Sequence, residues 1–430
     1  MSKKHKGLRW VRLDNAAKIY PAARRKNWSN VFRQSVTLCE EVDKKVLKSA
    51  LDVTVKRFPS IAARLRKGAF WYYLEQVEQA PEIQEEYSYP LVYMSNEEMR
   101  RCAFRVIAYQ NRIAVEFFHS LTDGTGALIF LKTLTAEYLE QRYNIIVPAE
   151  KGVLDRRQKP LASELEDSFP KYAGPYRASR KDTDAWHMSG VPQADGFLNL
   201  TCFKLAVDEV LKAAHGYNCT MTVFLSAVLM KALLNLQIEK NPSVKRQKPI
   251  KLLIPVNLRR LFESNTLRNF AMYTIPEIDP RLGEYTFDEI CRVIEYKIGQ
   301  EVNPKHMSTV IAANVNDEEN PLVRIIPLPI KNLVMKAIFD SVGEKKSCLT
   351  LSNLGAVEFP EIMEKYIVRA DFILGVQADA PYNCGMLSYG DTVYINFIRD
   401  IRDCELERHF YAVLKEMGLK ATVESNQNER

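Results

Sequence analysis

His119 ends an apolar run, Ile113-Ala-Val-Glu-Phe-Phe-His119, and Ser-Leu-Thr-Asp123-Gly124-Thr-Gly126 follows it. An imidazole at the end of a buried strand suits general-base chemistry. Its free pKa lies near neutrality, and stiff strand backbone can hold it towards a cleft. Asp123 cannot share a helix face with His119 if the residues between them form a turn. Its expected task is to brace the loop, through an ion pair or by capping the helix that starts near Gly124. Gly124 and Gly126 let the chain turn sharply and be approached closely. The bland alternative is a core histidine satisfied by backbone groups.

Other chemical devices are missing from the sequence. Gly124-Thr-Gly126-Ala-Leu-Ile129 begins like a dinucleotide loop, but Ile129 stands where the third glycine belongs. There is no P-loop and no G-x-S-x-G nucleophile elbow. Eight cysteines are scattered without a C-x-x-C pair or metal-ligand spacing, which reads as reduced thiols rather than a disulfide framework. His187, His215, His306 and His409 have no partner at ligand spacing. No metal and no cofactor is therefore expected. The net charge of +7, from 60 basic and 53 acidic residues, suits phosphate-bearing partners. Runs such as Lys3-Lys4-His5-Lys6 and Arg24-Arg25-Lys26 lack interleaved aromatics, so nucleic acid is not an expected partner. Asp14 and Lys18, four apart, read as a local ion pair, with a place at the mouth of a substrate site as the alternative.

The elements that must position His119 follow from periodicity. Strands are expected near 10–13, 31–38, 70–77, 102–109 and 112–118, with Gln110-Asn111 as a hairpin turn. Helices are expected over 41–58 and 126–141, the second burying Leu128, Leu131, Leu134 and Tyr138 on one face. Residues 147–196 are punctuated by Pro148, Pro160, Pro170, Pro175 and Pro192 and read as a crossover. Beyond it, strands are expected near 197–205, 250–256, 270–275, 347–352, 367–374 and 391–398. Helices are expected at 207–215, 222–236, 286–302, 306–314, 329–341 and 405–417, with a polar, frayed tail after Thr422. The result is an α+β chain, divided as 1–160, a 161–196 linker and 197–430. The basic start lacks an apolar signal segment, and the apolar run 221–230 is too short to span a bilayer, so a soluble cytoplasmic protein with no membrane span is expected.

H-x-x-x-D-G after an apolar strand, at this depth in a chain of 430 residues, resembles the chloramphenicol acetyltransferase and condensation-domain superfamily. The bacterial alcohol acetyltransferase-like branch is the nearest likeness. Arg12-Leu-Asp14-Asn-Ala-Ala-Lys18-Ile-Tyr-Pro21, Ile254-Pro255-Val-Asn257-Leu-Arg259-Arg260 and Leu351-Ser352-Asn353-Leu-Gly355 add to it. The resemblance implies two chloramphenicol-acetyltransferase-like α/β sandwich domains, pseudo-twofold, with a tunnel between them. It implies that His119 deprotonates an alcohol or amine, which attacks an acyl-CoA or a carrier-protein thioester without a covalent acyl-enzyme. It implies that Asp123 is structural and pairs with an arginine, for which Arg259 is the candidate, and that the protein works as a monomer. Ser352 and Asn353 are candidate substrate-side donors in a strand-end turn, with Arg259 a third. Two departures stand out: Phe118 replaces the first histidine of the common pattern, and Arg268-Asn269 stands where Gly-Asn is expected. A binding module without turnover, or a thioester hydrolase using water, remains an alternative class.

Overall fold

The computed structural model describes residues 10–24, 30–176, 183–319, 325–338, 344–377 and 380–427. The basic runs at 3–6 and 25–26, and the last residues of the helix expected over 329–341, lie outside them.

The N-terminal half is built on a five-stranded sheet ordered Ile367–Ile373, Val31–Leu38, Arg112–Phe118, Phe104–Tyr109 and Ile83–Glu85. Arg112–Phe118 and Phe104–Tyr109 form the expected hairpin, with Gln110 at φ 49° in its turn. Val31–Leu38 lies between two antiparallel neighbours and is buried at seven of its eight positions. The Lys44–Arg57 helix is capped by Asp43, whose carboxylate accepts the Lys45 and Val46 amides at 2.9 and 3.1 Å. It packs on the Gly124–Tyr143 helix above the sheet. That second helix is more deeply buried than a one-face pattern predicts: Phe130 and Ala136 are in the core with Leu131, Leu134 and Tyr138, whereas Leu128 stays half-buried.

The C-terminal half carries a sheet ordered Ala271–Thr274, Ile250–Asn257, Leu349–Ala356, Tyr382–Tyr389, Thr392–Arg399, Asn199–Ala206 and Thr422–Ser425, with Glu277–Ile278 also paired to Ile250–Asn257. Against it pack the Met221–Lys240, Phe287–Glu301 and Glu405–Glu416 helices. Met221–Lys240 is longer than expected, and is long and apolar enough to cross a membrane. Yet 72% of its apolar window is buried, as befits the core helix of this half. A small sheet of Trp10–Arg12, Tyr72–Gln76 and Ala63–Lys67 flanks the N-terminal half.

Several elements differ from expectation. Within the described residues the start of the tail is ordered: Thr422–Ser425 adds an antiparallel edge strand beside Asn199–Ala206. Tyr382–Tyr389 went unforeseen because Gly385 and Asn383 interrupt its apolar pattern. That glycine is one place where the two halves touch, since a Cβ on Gly385 would stand 2.5 Å from the Phe372 carbonyl oxygen. Asn396 adds bonds of 3.3 Å to Asp371 and to the Phe372 carbonyl. The Ile367–Ile373 strand therefore belongs by hydrogen bonding to the N-terminal sheet, although it comes from the C-terminal segment. The crossover is anchored as well, because Glu164 makes a buried, two-pronged ion pair with Arg57 at 2.6 and 2.7 Å.

Candidate active site

The Arg112–Phe118 strand delivers Phe118 and His119 to opposite sides, as strand alternation requires. Phe118 is fully buried in the N-terminal core. The first position of the common double-histidine pattern is here a packing position. His119, one residue on, has its amide on the Asn30 carbonyl at 2.9 Å and keeps part of its surface exposed. Its ring stacks on Tyr20 at 4.4 Å between centroids and meets the edge of Phe32 at 5.0 Å. Its Nδ1 lies 3.1 Å from Asn269 Oδ1. Burial pulls the imidazole pKa below its ordinary 6.5 and so favours the neutral ring, against the opposing pull of a hydrogen bond to its own backbone, of Asp123 and of Asn269.

Asp123 caps the Gly124–Tyr143 helix and ties the two halves together. Its Oδ1 accepts the Thr125 and Gly126 amides at 3.1 and 3.0 Å. Its Oδ2 accepts Arg259 Nη1 at 2.7 Å and the Phe270 amide at 2.8 Å. Both alternatives read from the sequence, cap and ion pair, hold at once. Arg259 spends its remaining donors on Asn257 Oδ1 and on the Thr266 and Arg268 carbonyls, so every nitrogen of its guanidinium has a protein acceptor. The arrangement fits bracing and leaves little for a substrate. Gly124 offers its carbonyl to Gln34 at 2.7 Å, and a Cβ there would stand 2.8 Å from Leu354. At Gly126 a Cβ would collide with the Leu267 carbonyl oxygen and the Thr122 hydroxyl. Thr122 donates to that same carbonyl at 2.6 Å, and Asn257 donates to Thr125 at 3.0 Å. The motif loop is thus keyed into the C-terminal loop at 266–270.

Ser352 and Asn353 lie within the Leu349–Ala356 strand, not in a strand-end turn. A register irregularity between Asn353 and Ala356, with Gly355 at φ 79°, produced the turn-like sequence. Asn353 uses its amide internally, donating to Thr222 at 2.9 Å and accepting the Gly355 amide at 2.8 Å. Ser352 pairs in parallel with Gly385, whose Cβ position faces Phe372, so Ser352 shares the face that meets the N-terminal sheet.

Asp14 does not pair with Lys18. Lys18 pairs with Glu318, while Asp14 is fully buried and faces Asn269 and Arg268. Its Oδ1 accepts the Ala17 amide at 2.7 Å, and its Oδ2 takes the Asn269 backbone and side-chain N–H groups at 3.3 Å each. Burial raises the Asp14 carboxyl pKa overall, although Arg268, the Ala17 amide and Asn269 pull it down. Arg268, where the resemblance expects glycine, is buried 3.7 Å from Asp14 and donates to the Leu165 and Arg12 carbonyls. Asn269, Tyr20 and Phe32 were not among the expected site residues. The only hint was that Asp14 and Tyr20 share the N-terminal stretch that carries the resemblance, and that Asn269 keeps the asparagine of the expected pair.

Two cavities, of about 530 and 470 Å³, open beside the small sheet between Pro21, Arg24, Leu65, Tyr72, Met99 and Lys336 and around Tyr73 and Glu75. Neither is lined by His119, so neither is the expected passage between the halves. Among the described residues no three His, Cys, Asp or Glu side chains converge as metal ligands would.

No protein-family model matches this sequence, and no curated protein does. Solved structures do match over nearly the whole chain. TRI101 of Fusarium graminearum, complexed with coenzyme A and deoxynivalenol, superposes with a TM-score of 0.63 at 12% identity, covering 96% of this chain and 99% of that one. The trichothecene 15-O-acetyltransferase of F. sporotrichioides gives 0.61 at 13% identity, over 95% and 94%. A wax ester synthase/diacylglycerol acyltransferase from Marinobacter aquaeolei gives 0.55 at 12% identity, over 95% and 100%. The chain shares the fold of these proteins, an α+β architecture with two sheet-based halves.

Proposed function

We propose that this protein is an acyltransferase that moves an acyl group from a thioester, acyl-CoA or a carrier-protein thioester, to an alcohol or amine. The observation that carries this reading is the setting of His119: a partly exposed imidazole at a strand end, where the halves meet, clamped by Asn269, Tyr20 and Phe32. A thioester is already activated, so the protein must supply a base and a place for the charge that develops. His119 takes the acceptor's proton as the acceptor oxygen or nitrogen attacks the thioester carbonyl carbon. The tetrahedral oxyanion collapses, the C–S bond breaks, and the imidazolium returns its proton to the leaving thiolate. No acyl-enzyme forms. Ser352, facing the same junction, is the proposed donor to the oxyanion, since Asn353 is committed to Thr222 and Gly355. The coenzyme A in the TRI101 complex and the acetyltransferase name of the second match support the choice of donor class.

The test is thiol release from acyl-CoA of varied chain length against pooled alcohols and amines. His119→Ala is expected to lower the rate by about 10²–10⁴-fold. Equal thiol release from the variant and the parent would remove the base assignment. A parent inert with every donor and acceptor pair would favour a binding module.

A further inference from the structure

We infer that Asp14 is a positioning residue that acts through Asn269 to select the tautomer of His119, placing the ring proton on Nδ1 and the free lone pair on Nε2. The inference rests on the proposed role of His119 as base and specifies which of its nitrogens does the work.

The two ends of an asparagine amide are alike in shape and opposite in hydrogen-bonding sense, so their orientation is decided by the neighbours. One end of the Asn269 amide faces His119 Nδ1 at 3.1 Å, and the other faces Asp14 Oδ2 at 3.3 Å. The sense of the Asp14 end is settled by backbone. The Asn269 amide N–H points at the same Oδ2, and the Ala17 N–H points at Oδ1. Backbone N–H groups only donate, so both oxygens accept, and with Arg268 3.7 Å away as a counter-charge to an ionised carboxylate Oδ2 has no hydrogen to offer. An acceptor at Oδ2 requires the NH2 end of Asn269. Its carbonyl end must then face His119. A carbonyl oxygen only accepts, so Nδ1 must carry hydrogen. A neutral imidazole has one such hydrogen, which leaves Nε2 unprotonated and able to take the acceptor's proton.

Asp14 touches no ring atom of His119; its influence passes through the amide. The arrangement also explains a buried carboxylate placed so close to a base that has to stay neutral: the Asn269 amide stands between them and transmits orientation. Exchanging Asp14 for Asn tests this directly. If the short bond from Ala17 is kept, the new NH2 group faces Asn269, turns its amide over, and presents an N–H to Nδ1.

The experiment is a long-range ¹H–¹⁵N correlation spectrum of protein labelled with ¹⁵N-histidine, above the imidazole pKa, with His119→Gln assigning the signal. The parent is expected to have a protonated Nδ1 and a bare Nε2. Asp14→Asn is expected to move the proton towards Nε2, and Asn269→Ala to give a mixture. In the transfer assay both variants should lose about 10–100-fold in kcat with KM nearly unchanged, because substrate contacts are intact. A parent carrying its proton on Nε2 overturns the inference. So does retention of the parent tautomer in both folded variants, with Asn269→Ala standing alone if Asp14→Asn does not fold. The spectrum does not depend on turnover, so the expected tautomer in a protein that releases no thiol would sink the proposed function and leave the positioning intact.

Discussion

Burial, more than any charge, sets the working state of His119. Desolvation disfavours the imidazolium and pulls the pKa below 6.5, so the neutral base predominates at neutral pH. The sign of the pH dependence follows. Activity should rise with pH through a midpoint below 6.5 and then stay level across neutral pH, until acceptor or thiol chemistry intervenes. Measuring kcat/KM across that range checks this, and a midpoint well above 7 would contradict the environment described. The same desolvation bears on folding. A histidine whose folded pKa is depressed opposes protonation, so stability is lost as pH falls from the unfolded value near 6.5 down through the lower folded value.

At the scale of elements, the loop from His119 to Gly126 is held from outside rather than by its own helix. Asp123 receives two N–H groups from that helix and two donors from the other half of the molecule. Asp123→Asn can keep the cap but would turn an NH2 group towards Arg259 and the Phe270 amide, leaving a cation without its counter-charge. Breaking one side of a buried ion pair costs about 3–5 kcal/mol. A loss of that size in urea unfolding is expected, with activity falling because the loop shifts. A folded variant with unchanged stability and rate would remove the bracing role. The expectation drawn from the sequence named this aspartate, both of its tasks and its arginine. It went astray at Ser352-Asn353, where a strand irregularity and a glycine at positive φ imitate a turn.

Considered whole, the molecule has two sheet-centred cores, yet its halves are not interchangeable parts. The N-terminal sheet is completed by Ile367–Ile373, which covers one edge of Val31–Leu38. Without it that strand would expose a row of unpaired backbone groups on an apolar ribbon, a template for association. A fragment spanning residues 1–196 is expected to aggregate or to lack a cooperative unfolding transition, as read by sedimentation and far-UV circular dichroism. Co-expression with residues 197–430 should restore it. A monomeric, cooperatively folded 1–196 fragment would show that the borrowed strand is dispensable.

Local order carried most of the sequence reading. Period-two and helical spacing located nearly every long element, and the order strand, His119, Asp123, helix was legible because those residues act within a few positions of one another. What surrounds the imidazole was settled elsewhere. Asn269 lies 150 residues from His119, and Asp14 lies 255 residues from Asn269; no periodicity extends over such separations. A strand-end histidine can be recognised from its neighbours in the chain, but the proton on its ring is placed by partners that only the packing of two sheets brings within hydrogen-bond reach.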